Sequence, residues 1–312
     1  MLLAAGRGTR LRPLTTRRPK CLMPVMNRPL LGLWLERLAA AGARRVVVNT
    51  HHLARQVHAY LREQAPPELE VVVSHEPEIL GTGGGLVAAR SSLGEAPFLL
   101  ANADVVCSAE LVPLLEQLQA QGAAAVLGLV DDPRFNTVAV DGRGRVLGFR
   151  GEPGLEGVAA WRTYTGLAAI HPRLLHHLPA RGYSSLVDAF RRAIAAGEAV
   201  LGLGLEGFWD DLGTPRRLWA LHRDLARGRR PELAGLAPQE PVVRGEGAAV
   251  EPKAQVEGFC VLGPGARLEA GAWVRDVVLL PGARVCTGAV VEEAVLGDGF
   301  TARGHIRGGA HA

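Results

Sequence analysis

The chain begins MLLAAGRGTRLRPLTTRRPK, Met1 to Lys20: an apolar run passes straight into a glycine turn and then into a train of cations. A strand that ends in such a turn leaves a row of backbone N–H groups facing outward, where they can hold phosphate oxygens. Gly6 and Gly8 suit this place because a β-carbon would obstruct both a positive-φ turn and the approach of a bulky anion. Seven of the first 35 residues are Arg or Lys, and the first acidic residue is Glu36. The whole chain holds 33 arginines but only two lysines, Lys20 and Lys253. In a sequence that writes almost every cation as Arg, Lys20 beside this turn points to the need for a compact point charge.

Gly6-Arg7-Gly8-Thr9-Arg10-Leu11-Arg12-Pro13-Leu14-Thr15, closing at Pro19-Lys20, resembles the N-terminal motif of the sugar-1-phosphate nucleotidyltransferases, the NDP-sugar pyrophosphorylases. A bare Gly-x-Gly would say little, whereas a match over twelve positions followed by the right strand pattern is specific. The resemblance implies an enzyme that moves a nucleoside monophosphate from an NTP to a sugar 1-phosphate, giving an NDP-sugar and pyrophosphate. It implies that Ala4, Ala5, Gly6, Arg7, Gly8 and Thr9 bind the NTP, and that Arg10 and Lys20 are catalytic. Relatives carry a few more residues ahead of Leu3-Ala4-Ala5-Gly6, so the first strand is expected to be short at its start.

The composition agrees. At 312 residues and 33.1 kDa the chain exceeds what one hydrophobic core usually holds, so two domains are expected. The formal charge is +4 and the first 35 residues contribute +7, so the remainder is slightly acidic. A local cluster of this kind suits a phosphate-rich small ligand and not a nucleic-acid groove, which would spread its cations along a face. Apolar runs fall short of a bilayer span and are cut by Arg7, Arg10 and Arg12 near the N-terminus, so neither a membrane segment nor a secretory signal is expected. Cys21, Cys107, Cys260 and Cys286 lie far apart without C-x-x-C spacing, which fits reduced thiols in a cytoplasmic protein.

Along the chain, apolar strands alternate with helical stripes. Strands are expected at 46–48, 71–73, 98–101, 125–130 and 163–170, and helices over 30–41, 52–62, 86–90, 110–121, 186–196 and 214–227. Continuous apolar strands separated by helices predict an α/β fold with a Rossmann-like, mostly parallel sheet. Phe135 to Phe149 breaks the pattern: apolar pairs flank Asp141-Gly142-Arg143-Gly144, an antiparallel hairpin insertion.

Three further groups fit the family pattern. Gly81-Thr82-Gly83-Gly84-Gly85 is a second glycine loop ahead of a helix, and in relatives the matching loop lies along the nucleobase, which brings Thr82, Gly83 and Gly84 to the NTP. Phe98-Leu99-Leu100-Ala101-Asn102-Ala103-Asp104 puts an acid at the C-terminal end of a buried strand, where ligands of open α/β sheets collect. By resemblance Asp104 ligates Mg²⁺, and Phe208-Trp209-Asp210-Asp211-Leu212-Gly213-Thr214 makes Asp211 the second metal aspartate, although an acid before Gly-Thr-Pro also suits a helix cap. Tyr164-Thr165-Gly166-Leu167 resembles the strand whose glycine admits the hexose, so Asn102, Asn136 and Gly166 are the sugar-site candidates. Tyr183-Ser184-Ser185 either touches the sugar or caps the next helix. The missing Glu-Lys pair before that helix, with Thr82-Gly83-Gly84, brings the pattern nearest to the N-acetylmuramate-1-phosphate uridylyltransferase and mannose-1-phosphate guanylyltransferase branches.

Beyond residue 228 the composition changes. Residues 229–247 read as a Pro-, Gly- and charge-rich linker between a catalytic domain, 1–228, and a tail, 248–312. In the tail Val250, Val256, Leu262, Leu268, Val274 and Leu280 recur every six residues, and Val285, Val291 and Leu296 continue one register off. This is the signature of a hexapeptide repeat and predicts a short left-handed parallel β-helix, a surface through which a homo-oligomer could assemble. Two other functions share these features: a catalytically silent sensor of nucleotide sugars, and an acyltransferase of the hexapeptide type using His305 or His311.

Overall fold

The computed structural model describes all 312 residues, which form two compact units: Met1–Gly6 with Trp34–Asp210, and Arg7–Leu33 with Asp211–Ala312. The first is a mixed α/β unit with a Rossmann-like sheet. Phe98–Asn102, Leu2–Leu3, Arg45–Thr50 and Glu70–His75 run parallel and side by side, with Leu2 between Ala101 and Val48. Val46, Val47 and Val48 are buried because this strand has neighbours on both edges, which is why it reads as an unbroken apolar run. On the other side Ala160–Ile170 lies antiparallel to Phe98–Asn102 and to Ala125–Val130, and the latter pairs in parallel with Val200–Gly204. Phe190, Leu100, Leu127 and Ala168 belong to the buried core around these strands.

The hairpin insertion forms as expected, from Val138–Val140 and Val146–Phe149. Asp141 closes its turn by accepting the N–H groups of Arg143 and Arg145, each at 2.8 Å. The second glycine cluster departs from expectation. It is not a loop ahead of a helix at 86–90: the helix runs over Gly81–Ala88 and the glycines are its first turns. Low helix propensity is overridden by packing. A β-carbon on Gly83 would lie 2.7 Å from the Ser184 hydroxyl, one on Gly84 2.4 Å from the Gly182 carbonyl, and one on Gly85 2.7 Å from both Asn49 and Glu76.

In the second unit, Arg7–Leu33 folds through three short 3₁₀ turns and the small hairpin of Pro24–Val25 with Arg28–Pro29. Gly8 has φ +60°, and a β-carbon there would press within 2.9 Å of Thr15 and 3.1 Å of Lys20. Its glycine is therefore demanded by the fold of the turn itself. The expected linker 229–247 carries a 3₁₀ turn, Pro231–Leu236, and the strand Val242–Arg244, which already pairs with Cys260–Leu262.

From there the chain stacks parallel strands in successive coils. Ala249 pairs with Arg267, eighteen residues on, while Arg267 pairs with Arg284 and Arg284 with Thr301, each seventeen on. The shortened coil explains the slipped period. Leu279, and not Leu280, stands in register between Leu262 and Leu296. Corners are marked by left-handed residues, and Lys253, at φ +70°, holds one of them.

Candidate functional site

In the second unit the motif's cations converge on one carboxylate. Lys20 is 8% exposed, and its Nζ donates to Asp211 Oδ1 at 3.0 Å. Arg10 Nη2 donates to Asp211 Oδ2 at 3.1 Å, so the aspartate is held in a fork. Burial by itself would push the Asp211 carboxyl up. The charges and hydrogen bonds of Lys20 and Arg10 outweigh that and hold it below the usual carboxylate range. Gly213 leaves room for Arg10, whose Nη2 would sit 2.9 Å from a β-carbon there. Asp211 does not cap the following helix, Pro215–Ala226. Thr214 does, its hydroxyl accepting the N–H of Arg217 at 3.3 Å.

Two further cations of the N-terminal train, Arg17 and Arg18, have structural work. Arg18 Nε donates to Asp298 Oδ2 and Arg17 Nη1 to the Asp298 carbonyl, both at 3.0 Å, which ties the motif to the coils. His305 pairs with Glu292 at 2.9 Å and His311 with the Gly308 carbonyl at 2.9 Å, leaving each imidazole with a local partner.

In the first unit the elements expected at the nucleotide meet through two residues that the sequence reading missed. Asn49 Oδ1 accepts the Ala4 N–H at 2.7 Å, and Asn49 Nδ2 donates to Glu76 Oε1 at 2.7 Å. Glu76 Oε2 then accepts the Leu80 N–H at 3.1 Å. Both side chains are buried, at 2% and 1% exposure, so a three-bond relay runs from the start of the first glycine turn to the start of the second. The available signal was positional: Asn49 and Glu76 close adjacent parallel strands at the sheet's C-terminal edge, where polar groups have a purpose.

Gly6 has open space where a β-carbon would stand. Thr82, Gly83 and Gly84 are partly used internally: Thr82 Oγ1 accepts the Leu186 N–H at 2.9 Å, and the Gly83 and Gly84 amides donate to the Ser184 carbonyl at 2.9 and 3.4 Å. What Thr82 keeps is a hydroxyl hydrogen to donate. Gly166, at φ +81°, backs directly onto Asn102, whose Nδ2 would lie 2.4 Å from a β-carbon there, so two of the sugar candidates are neighbours. The third, Asn136, is elsewhere engaged: it donates to Asp131 at 2.7 Å and accepts from Thr163 at 2.8 Å and from the Asp132 N–H at 3.2 Å. Ser185 is a helix cap, accepting the Val187 N–H at 3.2 Å, while the Ser184 hydroxyl is buried without a partner. Asp104 sits in the turn after Phe98–Asn102, partly exposed.

A family model described as nucleotidyl transferase matches residues 1–228. The chain belongs to the nucleotidyl transferase family. It is 31% identical over 292 residues to mannose-1-phosphate guanylyltransferase of Mycobacterium tuberculosis, covering 89% of this chain and 79% of that protein. It is 25% identical over 291 residues to UTP–glucose-1-phosphate uridylyltransferase of Synechocystis, covering 87% and 75%. The solved structure of UDP-glucose pyrophosphorylase from Acinetobacter baumanii superposes with a TM-score of 0.60 at 19% identity, over 75% of this chain and 96% of that one, a likeness of fold. The chain is thus a sugar-1-phosphate nucleotidyltransferase, an enzyme that transfers a nucleoside monophosphate to a sugar 1-phosphate.

Proposed function

We propose that this transferase uses a uridine or guanosine triphosphate and that the Lys20–Asp211–Arg10 fork is its catalytic centre. The observation supporting this reading is a nearly buried lysine and an arginine on opposite oxygens of one ionised aspartate. An anionic oxygen of the sugar phosphate forms a bond to the α-phosphorus, the bond to the β-phosphate bridge breaks, and its electron pair leaves with pyrophosphate. The nucleophile is already an anion, so the fold need not supply a general base. It must offset repulsion between two polyanions and align them. Amides of Gly6 to Thr9 with Arg10 hold the β- and γ-phosphates, Lys20 neutralises charge at the α-phosphate, and Asn102 with Gly166 admits the sugar.

We assign a hard divalent cation to the two aspartates of the family pattern, Asp104 and Asp211. Asp211 itself suits one, since it is held ionised and each of its oxygens keeps a lone pair beyond its one hydrogen bond. Mg²⁺ bound there would supply further charge neutralisation at the phosphates. We place the reaction in residues 1–228 of a cytoplasmic enzyme. No helix is long and apolar enough to cross a membrane, and all four cysteines are free. The coils of the C-terminal stretch read as hexapeptide repeats of a left-handed β-helix, a surface suited to self-assembly.

Lys20→Ala tests the centre. Loss of such a donor costs roughly 2.7–4 kcal/mol, about 10²–10³ in turnover. Pyrophosphate release from each of four NTPs with a panel of sugar 1-phosphates and Mg²⁺ reads both this and the base and sugar preference. A folded Lys20→Ala variant with near-normal turnover would remove Lys20 from the mechanism. Silence of the native chain across the whole panel, with ligand binding intact, would favour a sensor.

A further inference from the structure

A groove of about 550 Å³ lies in the second unit between the helix Pro215–Ala226 and the coils, walled by Arg216, Trp219, Arg223, Arg227, Asp276 and Glu293. We propose that it is a second ligand site, for a phosphorylated sugar. Residues 216, 219, 223 and 227 are spaced three, four and four apart and so share one face of the helix. Two of the three cations are already balanced. Arg227 pairs with Asp276 at 2.9 Å, and Arg223 pairs with Asp224 at 2.9 Å while its guanidinium lies 5.2 Å from the centre of the Trp219 ring.

Arg216 and Glu293 are different. Both are exposed, neither side chain has a partner, and they do not pair with each other. Glu293 also stands in a backbone conformation that disfavours it, with φ +51°. At the equivalent corners of neighbouring coils stand Gly258, Asp276 and Gly308. Asp276 has an internal reason to be there, since it accepts the Phe259 N–H at 3.1 Å and holds Arg227. Glu293 has none, although a non-glycine residue in this region costs roughly 1–2 kcal/mol.

These groups prescribe an occupant. Arg216 lies in the first turn of a twelve-residue helix, where the positive end of the helix dipole adds to its charge and favours a phosphate. The half-buried Trp219 offers an apolar surface to C–H groups. Glu293 accepts hydrogen bonds from hydroxyls but would repel a bare anion. A sugar phosphate carries all three features, and the groove's volume is in the range of small-molecule sites, about 300–1,000 Å³. The inference stands apart from the catalytic reading, because none of these residues belongs to the fork or the glycine turns.

The test is calorimetric titration of the full chain with glucose 6-phosphate, whose phosphate is not on the anomeric carbon. Glu293→Gly places a glycine where the backbone favours one, so it should fold at least as well as the native chain. It and Arg216→Gln should each weaken binding about tenfold or more, near 1.4 kcal/mol. Lys20→Ala should leave binding unchanged, and glucose or inorganic phosphate alone should bind at least about tenfold more weakly. The proposal fails if the native chain shows no saturable binding, if the two groove variants bind as tightly as it does, if inorganic phosphate binds as well as the sugar phosphate, or if Lys20→Ala abolishes the signal.

Discussion

Exchanging the chemistry of Asn49 and Glu76 tests the relay that joins the two glycine segments. In the native pair the carboxylate of Glu76 accepts twice, from Asn49 and from the Leu80 N–H, while Asn49 also accepts from Ala4. Glu76→Gln keeps the volume but turns one acceptor into a donor, so an N–H faces either Leu80 or the Asn49 amide. One charge-assisted hydrogen bond is lost in a fully buried place, about 1.5–3 kcal/mol. Asn49→Asp instead sets two carboxylates at the 2.7 Å spacing of the present bond, at a similar cost. The double variant Asn49→Asp, Glu76→Gln restores every bond with the charge moved to the other partner. The introduced carboxylate accepts from the Ala4 N–H and from the introduced amide, whose own oxygen accepts from the Leu80 N–H. Urea denaturation of the four proteins should therefore give a favourable coupling of roughly 3–6 kcal/mol, the sum of the two single losses. In parallel, KM for the NTP should rise in both singles and return towards native in the double. Additive losses in the cycle would refute the relay, because residues that do not touch have nothing to restore.

Other consequences are as direct. Gly166→Ala forces a left-handed β-carbon against Asn102 and should raise KM for the sugar phosphate well before it affects KM for the NTP; equal changes in both would argue against a sugar site there. His222 is fully buried between the Leu218 carbonyl and the Met26 N–H, and burial lowers its pKa to about 4 from 6.5. The unfolded chain then binds more protons between those values, so this contribution, about 3 kcal/mol, is complete above pH 6.5 and is lost as pH falls towards 4. In His222→Gln the stability difference between pH 7 and pH 5 should shrink, as measured by denaturant midpoints; an unaltered slope would place the acid sensitivity elsewhere.

The first twenty residues and the alternation of apolar runs were enough to read the Rossmann-like sheet, the hairpin insertion and the family. Those features are local: a turn needs its own glycines, a strand its own run of apolar residues, and neither waits on a distant partner. The tail's period was also visible in sequence. Its slip, though, looked like a shift after Leu280 until the pairing of Leu262, Leu279 and Leu296 located the shortened turn.

What lay beyond sequence were pairings across long separations and the choice of which polar group meets which. Asp211 could have been a helix cap, and only the folded chain brings Lys20 and Arg10, some 190 and 200 residues away, onto its two oxygens while Thr214 takes the cap. The cations at Arg17 and Arg18 belong to Asp298, about 280 residues on, and not to a ligand. Gly81–Ala88 is helical against its own propensities because Asn49, Glu76, Gly182 and Ser184 leave no space for side chains. Periodicity and turn chemistry are written into neighbouring residues, whereas the energy of a buried ion pair or a close backbone contact exists only once remote segments have met.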